Sequence, residues 1–177
     1  MHIPKIDISG IENEELPSSL LMDFYDAYSK YGFGYIINHG IEKGLVDQLF
    51  QVSKNFHAQP LSEKMKIALD DNHRGYIAIN TSTDVNSKLA VVKKPNQSSS
   101  FMMMREDTSE LPNIYLSGPN QWPEMKKFRE VLEEYSSQMT RLGKNLIRLA
   151  LISAGVKDLS IMRSFEPATI WLRLLHY

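Results

Sequence analysis

The chain has 177 residues, 42% hydrophobic and 10% aromatic, which suffices to bury the core of one domain or slightly more. Its 20 basic and 21 acidic residues nearly cancel, which argues against nucleic acid or an anionic membrane surface as partner. With no cysteine there is no disulfide framework, no thiolate metal site and no cysteine nucleophile. The first residues lack a basic stretch followed by an apolar run, and no apolar run approaches the ~20 residues a spanning helix needs. The expectation is a soluble, cytoplasmic, globular protein.

Ile3, Ile6 and Ile8, ended by Ser9-Gly10, read as a short strand. After Pro17, Leu20, Leu21, Phe24, Ala27, Tyr28 and Tyr31 follow helical spacing, and Gly32 supplies the stop. Phe33 to Ile37 is a compact apolar strand, and Asn38-His39-Gly40 turns out of it. A second amphipathic helix is predicted from about Glu42 to Phe56 and a short one from Ser62 to Leu69, with Pro60 between them. Arg74-Gly75-Tyr76-Ile77 opens another strand, Asn80 to Ser100 reads as an irregular connection, and Phe101 to Met104 as a strand. A loop through Pro112 and Gly118-Pro119 follows.

From Pro123, apolar residues at Met125, Phe128, Leu132, Tyr135, Met139, Leu142, Leu146 and Leu149 predict one helix of about 30 residues, closed by Gly155. Asp158 is placed to cap a short helix reaching Phe165. Thr169 to Tyr177 reads as a strand that the sequence leaves with few neighbours.

The histidines are His2, His39, His57, His73 and His176, and none is followed two residues later by Asp or Glu. The close-spaced half of a two-histidine, one-carboxylate iron site is therefore absent, as are HExxH, GxxxxGK[ST] and GxSxG motifs. His39 reads as a turn residue and His57 as a helix-end imidazole whose partial charge suits the macrodipole. His73 and the lysines Lys64, Lys66, Lys126 and Lys127 read as solvated, and Met102 to Met104 as core filler or the lining of an apolar pocket. On the last strand Arg173, Leu175 and Tyr177 share one face, and Leu172, Leu174 and His176 the other. Arg173 either looks into an enclosed space, where it needs an anionic partner, or lies in water on an edge strand.

Six segments, taken in order, resemble one family: the Ile-Pro-x-Ile-Asp start, Tyr31 to Gly40 with its Asn-His-Gly end, Pro60 to Lys64, Arg74-Gly75-Tyr76, Asn120-Gln121-Trp122-Pro123, and Leu172 to Tyr177. The chain is identified on them as a member of the isopenicillin N synthase-like Fe(II)/2-oxoglutarate-dependent dioxygenases. The resemblance implies a mixed α/β fold: the family's N-terminal α/β region, residues 1–119, then a long linking helix and the first strand of an incomplete double-stranded β-helix, residues 120–177. For a complete member it implies Fe(II) and 2-oxoglutarate, with dioxygen oxidatively decarboxylating the cosubstrate to succinate while a small organic substrate is hydroxylated, desaturated or cyclised. The iron ligands and the arginine clamp on 2-oxoglutarate lie beyond Tyr177 in the family's order, so this chain alone is expected to be inactive.

Within the chain the resemblance places Tyr177 near the cosubstrate, Arg173 towards the substrate, and Phe101 and Met103 on the substrate side of the cavity, hinting at a hydrophobic or aromatic substrate. Leu175 stands where the family carries Asn. His39 is shared turn chemistry and not an iron ligand. The alternative is a non-catalytic module that self-associates through its C-terminal strand.

Overall fold

The computed structural model describes residues 3–81, 95–106 and 117–177. His2, most of the predicted irregular connection and the loop through Pro112 lie outside them. The fold is mixed α/β, in two compact units that each draw on separated stretches of chain: Met1–Gly44 with Tyr135–Ala168, and Leu45–Glu134 with Thr169–Tyr177.

In the first unit, strand β1 (Lys5–Asp7) pairs in parallel with β2 (Tyr35–Ile37), with Ile6 opposite Ile36. Helix α1 (Ser18–Lys30) connects them. It ends as its sequence predicts: Gly32 takes φ +79°, and the Tyr31 and Gly32 amides return to Ala27 and Tyr28. The core is one cluster in which Ile6, Ile8 and Ile11 meet Leu20, Phe24 and Ala27 of α1 and Leu142 and Leu149 of helix α4 (Phe128–Ser153). These are the positions the period of 3.6 picks out, so burial of the apolar stripe and not propensity alone fixes both helices. Arg148 of α4 donates to the carbonyls of Ile11, Asn13 and Glu14 and so anchors the loop after β1.

Asp7 joins two of the motifs: one carboxylate oxygen accepts from the Ser9 amide and the other from Asn38 Nδ2 at 2.8 Å. These bonds, Ser9's first, hold its carboxyl below the usual range. Asn38 and Gly40 both take positive φ, and His39 Nδ1 accepts the Ile41 amide at 3.1 Å, which is the turn role expected of it.

Helix α4 begins at Phe128, later than Pro123 suggested. Lys127 has φ +63° and Met125 donates to the Pro123 carbonyl, so residues 123–127 form a tight turn. Past its end Gly155 adopts φ +82° as the stop, and Asp158 accepts the Ser160 amide at the start of a 3-10 helix (Ser160–Phe165).

The second unit contains α2 (Lys43–His57, from its third residue onward), α3 (Leu61–Met65) and an antiparallel sheet of β3 (Gly75–Ile77), β4 (Ser99–Met104) and β5 (Trp171–His176) in the order β3-β4-β5. The last strand therefore has a neighbour the sequence did not reveal: β5 pairs with β4 from Ser99↔His176 to Met104↔Trp171. Every residue of β4 is buried, and Ser99 and Ser100, read as connection, belong to it.

Phe56 of α2 centres the core, with rings of Phe128, Phe101 and Tyr76 at 5.2, 5.5 and 5.8 Å. Gly75 is required by its surroundings. At φ +111° an added Cβ would lie 2.4 Å from the Ile67 carbonyl, because Tyr76 pairs through its backbone with Ile67 and Leu69.

Candidate functional site

The register of the sheet sorts the residues picked out from the sequence. Phe101 lies opposite Leu174 and Met103 opposite Leu172, so these four share the face that packs on Phe56 and Phe128. Phe101 is fully buried there, with Trp122 5.9 Å away on another side. Arg173 lies opposite Met102 on the other face, with Ser100, Met104, Trp171 and Leu175. The pleat sends Phe101 and Met103 into the core and Arg173 to the opposite face. Tyr177 follows β5 and is 88% exposed.

On that second face Arg173 Nε donates to Ser100 Oγ at 2.9 Å, and Ser100 is fully buried. The bond fixes one side of the guanidinium and leaves both terminal nitrogens without a partner among the described residues. Such a planar fork can take a carboxylate end-on.

Behind the sheet lies a polar cluster that sequence reasoning misjudged. His57 ends α2 as expected, but it is buried there. Its Nε2 lies 3.3 Å from the Leu174 carbonyl and its Nδ1 3.5 Å from Ser99 Oγ, and its ring stacks on that of His176 at 4.9 Å. Burial chiefly, then repulsion from His176, pushes its pKa down to about 4 against the opposing bond to Leu174, so the ring is neutral near pH 7.

Lys64, read as solvated, is also buried: its Nζ donates to the His57 carbonyl at 2.7 Å and lies 5.4 Å from the centre of the Tyr76 ring. A helix-end lysine looks solvated in sequence because nothing local marks the carbonyl it will reach. His73 is exposed as expected, at φ +60°, whereas its neighbour Arg74 is buried and donates to the carbonyls of Asn72 and Arg105.

The Asn-Gln-Trp-Pro motif proves to be structural. Asn120 bonds both the amide and the carbonyl of Met104, at 2.9 and 2.7 Å, where β3 has already ended. Gln121 Nε2 donates to the carbonyls of Ala68 and Arg74. Glu106 accepts from the Asn120 amide, from Trp122 Nε1 and from Arg129.

Among the described residues no group of three or more His, Asp or Glu is placed to hold a metal. The donors present do not fit an iron site, and no step through iron is assigned to them. A crevice of about 300 Å³ in the first unit is lined by Glu12, Asn38, His39, Arg141 and Asn145, but Glu12 and Arg141 pair with each other at 3.3 Å.

Residues 3–125 match the family model described as "non-haem dioxygenase in morphine synthesis N-terminal". The chain belongs to the 2-oxoglutarate/Fe(II)-dependent dioxygenases. Among relatives in this dioxygenase family, the 2-oxoglutarate-dependent dioxygenase tropC of Talaromyces stipitatus is 30% identical over 195 aligned residues, covering 99% of this chain and 58% of that protein. Protein DOWNY MILDEW RESISTANCE 6 of Arabidopsis thaliana is 26% identical, covering 87% of this chain and 41% of that one.

The fold matches the crystal structure of a full-length Neurospora crassa protein in complex with alpha-KG, with a TM-score of 0.75 at 24% identity over 99% of this chain and 54% of that one. The chain thus spans about half the length of the dioxygenases it resembles. No helix among the described residues is long and apolar enough to cross a membrane.

Proposed function

We propose that this chain is the N-terminal part of a dioxygenase that oxidises a small organic molecule, by hydroxylation, desaturation or ring closure, while 2-oxoglutarate is decarboxylated to succinate. In a hydroxylation one atom of dioxygen enters succinate and the other the product, carbon dioxide leaves, and two electrons come from the substrate and two from 2-oxoglutarate. Fe(II), when bound by the complete enzyme, supplies the site where dioxygen is activated. The family's division into a domain at 1–119 and a segment at 120–177 belongs to the same reading, as does a cytoplasmic location, which rests on the absence of cysteine.

The observation that carries the proposal is the Arg173 guanidinium, held through Nε by buried Ser100 and with no partner for its terminal nitrogens among the described residues. A dicarboxylate or an acceptor-bearing substrate suits that fork, and Tyr177, four residues on, adds a hydroxyl. Phe101 and Met103 are retained as the support of this face and not as its lining. The test is an NMR titration of the labelled protein with 2-oxoglutarate. Shifts at the Arg173 side chain and at Tyr177, weak but saturable and lost in Arg173→Ala, support the assignment. Resonances unmoved at millimolar ligand refute it.

A second reading, a non-catalytic module that self-associates, is favoured by the outer edge of β5, which no described strand covers.

A further inference from the structure

Arg173 and Ser100 do not stand on the same rung of the sheet. In the β4–β5 register Arg173 lies opposite Met102, and Ser100 lies opposite Leu175. The bond from Arg173 Nε to Ser100 Oγ therefore runs along a diagonal. Diagonal neighbours of an antiparallel pair sit about 7–8 Å apart, a gap that only a long side chain spans. The guanidinium is thus drawn off its own rung towards the Leu175 end of β5.

The same face offers it a second partner. Trp171, two residues earlier on β5, lies opposite Met104 and is exposed. An indole face attracts a guanidinium, yet the side chain goes to the hydroxyl instead. Ser100 prevails because its residue is wholly buried, so no water competes for the bond, and because a charged donor strengthens it.

We propose that Ser100 is a positioning residue for Arg173. Its oxygen holds the guanidinium over the rung of Ser100 and Leu175 and, by taking Nε, leaves an incoming carboxylate only the two terminal nitrogens. A free guanidinium can engage a carboxylate along the edge that contains Nε or end-on through both terminal nitrogens. The Ser100 bond closes the first route and fixes the second. The inference rests on the reading of Arg173 as an anion-binding group and adds how that group is aimed. The ligand is a carboxylate arriving on the Leu175 side, carried by 2-oxoglutarate or by the substrate.

The test begins without ligand. In the isotope-labelled chain the Arg173 Nε–H should give a sharp, slowly exchanging NMR resonance. Ser100→Ala should quicken that exchange about tenfold or more, the factor carried by one charged hydrogen bond. It should also shift the Trp171 indole N–H as the guanidinium moves to that ring, while the Phe101 and Met103 amides stay in place. Titrated with 2-oxoglutarate and, separately, with benzoate, Ser100→Ala should bind about three- to tenfold more weakly than wild type, the cost of ordering one long side chain. Ser100→Thr keeps the acceptor and suits a strand, so it should restore both the Nε–H and the affinity. Saturation by benzoate alone assigns the carboxylate to the substrate, and by 2-oxoglutarate alone to the cosubstrate. A fast-exchanging Nε–H in the wild type, or equal affinities in wild type and Ser100→Ala, overturns the proposal. A protected Nε–H in a chain that binds neither carboxylate overturns the reading of Arg173 as an anion site, and the end-on approach with it, so the two failures are told apart.

Discussion

Acid should weaken this fold through one side chain. His57 is held neutral, its pKa pushed from the ordinary 6.5 to about 4 by burial and by the ring of His176, with the Lys64 ammonium adding to the repulsion. A depressed folded pKa in a histidine means that the unfolded chain takes up the proton first. The contribution is therefore fully present above about pH 6.5 and is lost as pH falls from there towards 4. For these two values linkage gives a loss of about 2 kcal/mol between about pH 7.5 and pH 5, and somewhat less after allowing for solvent reaching the ring.

Urea unfolding at the two pH values, followed by tryptophan fluorescence, measures that loss. Trp122 and Trp171 both lie in the unit that holds His57. In His57→Gln, which keeps a hydrogen-bonding end of similar reach but does not titrate, the pH-dependent part should shrink to a few tenths of a kcal/mol. His176→Gln, which removes the facing ring, should retain part of it. Equal pH dependence in wild type and His57→Gln would refute the reasoning, because the proton uptake would then belong to other groups.

Three further outcomes are expected. Asn120→Ala strips Met104 of both backbone bonds at the end of β4 and should cost about 2–3 kcal/mol in chemical denaturation, with increased amide exchange at Met104. Gly75→Ala places a methyl against the Ile67 carbonyl at a backbone angle that favours glycine, and should cost about 3 kcal/mol or more, lowering the unfolding midpoint. Phe101→Ala should destabilise by about 3–5 kcal/mol, as befits a core ring touching Phe56, Trp122 and Phe128. Near-neutral stability in that variant would return Phe101 to a cavity lining.

The local elements were legible in the sequence because their causes are local. The helical stripe of Leu20, Phe24 and Ala27, the glycine stops at Gly32 and Gly155, and the Asn-His-Gly turn each follow from a few neighbouring residues, and the structure has them where the pattern puts them. Family membership was legible too, since it rests on the order of short motifs. What those motifs do was not. Asn120 and Gln121 act on backbone groups at Met104, Ala68 and Arg74, and no local period announces such bonds.

The pairing of β5 with β4 joins residues 73 positions apart at Ser100 and Arg173. Only that register decided that Arg173 and Phe101 lie on opposite faces. The same packing brought His57 beneath Leu174 and His176, turning a residue that sequence alone reads as a charged helix end into a buried neutral ring. Sequence periodicity determines which face of an element is apolar, because that depends on neighbours three or four residues away. Which polar groups lose their water is set by the elements that close over them, and that is decided only when the chain folds.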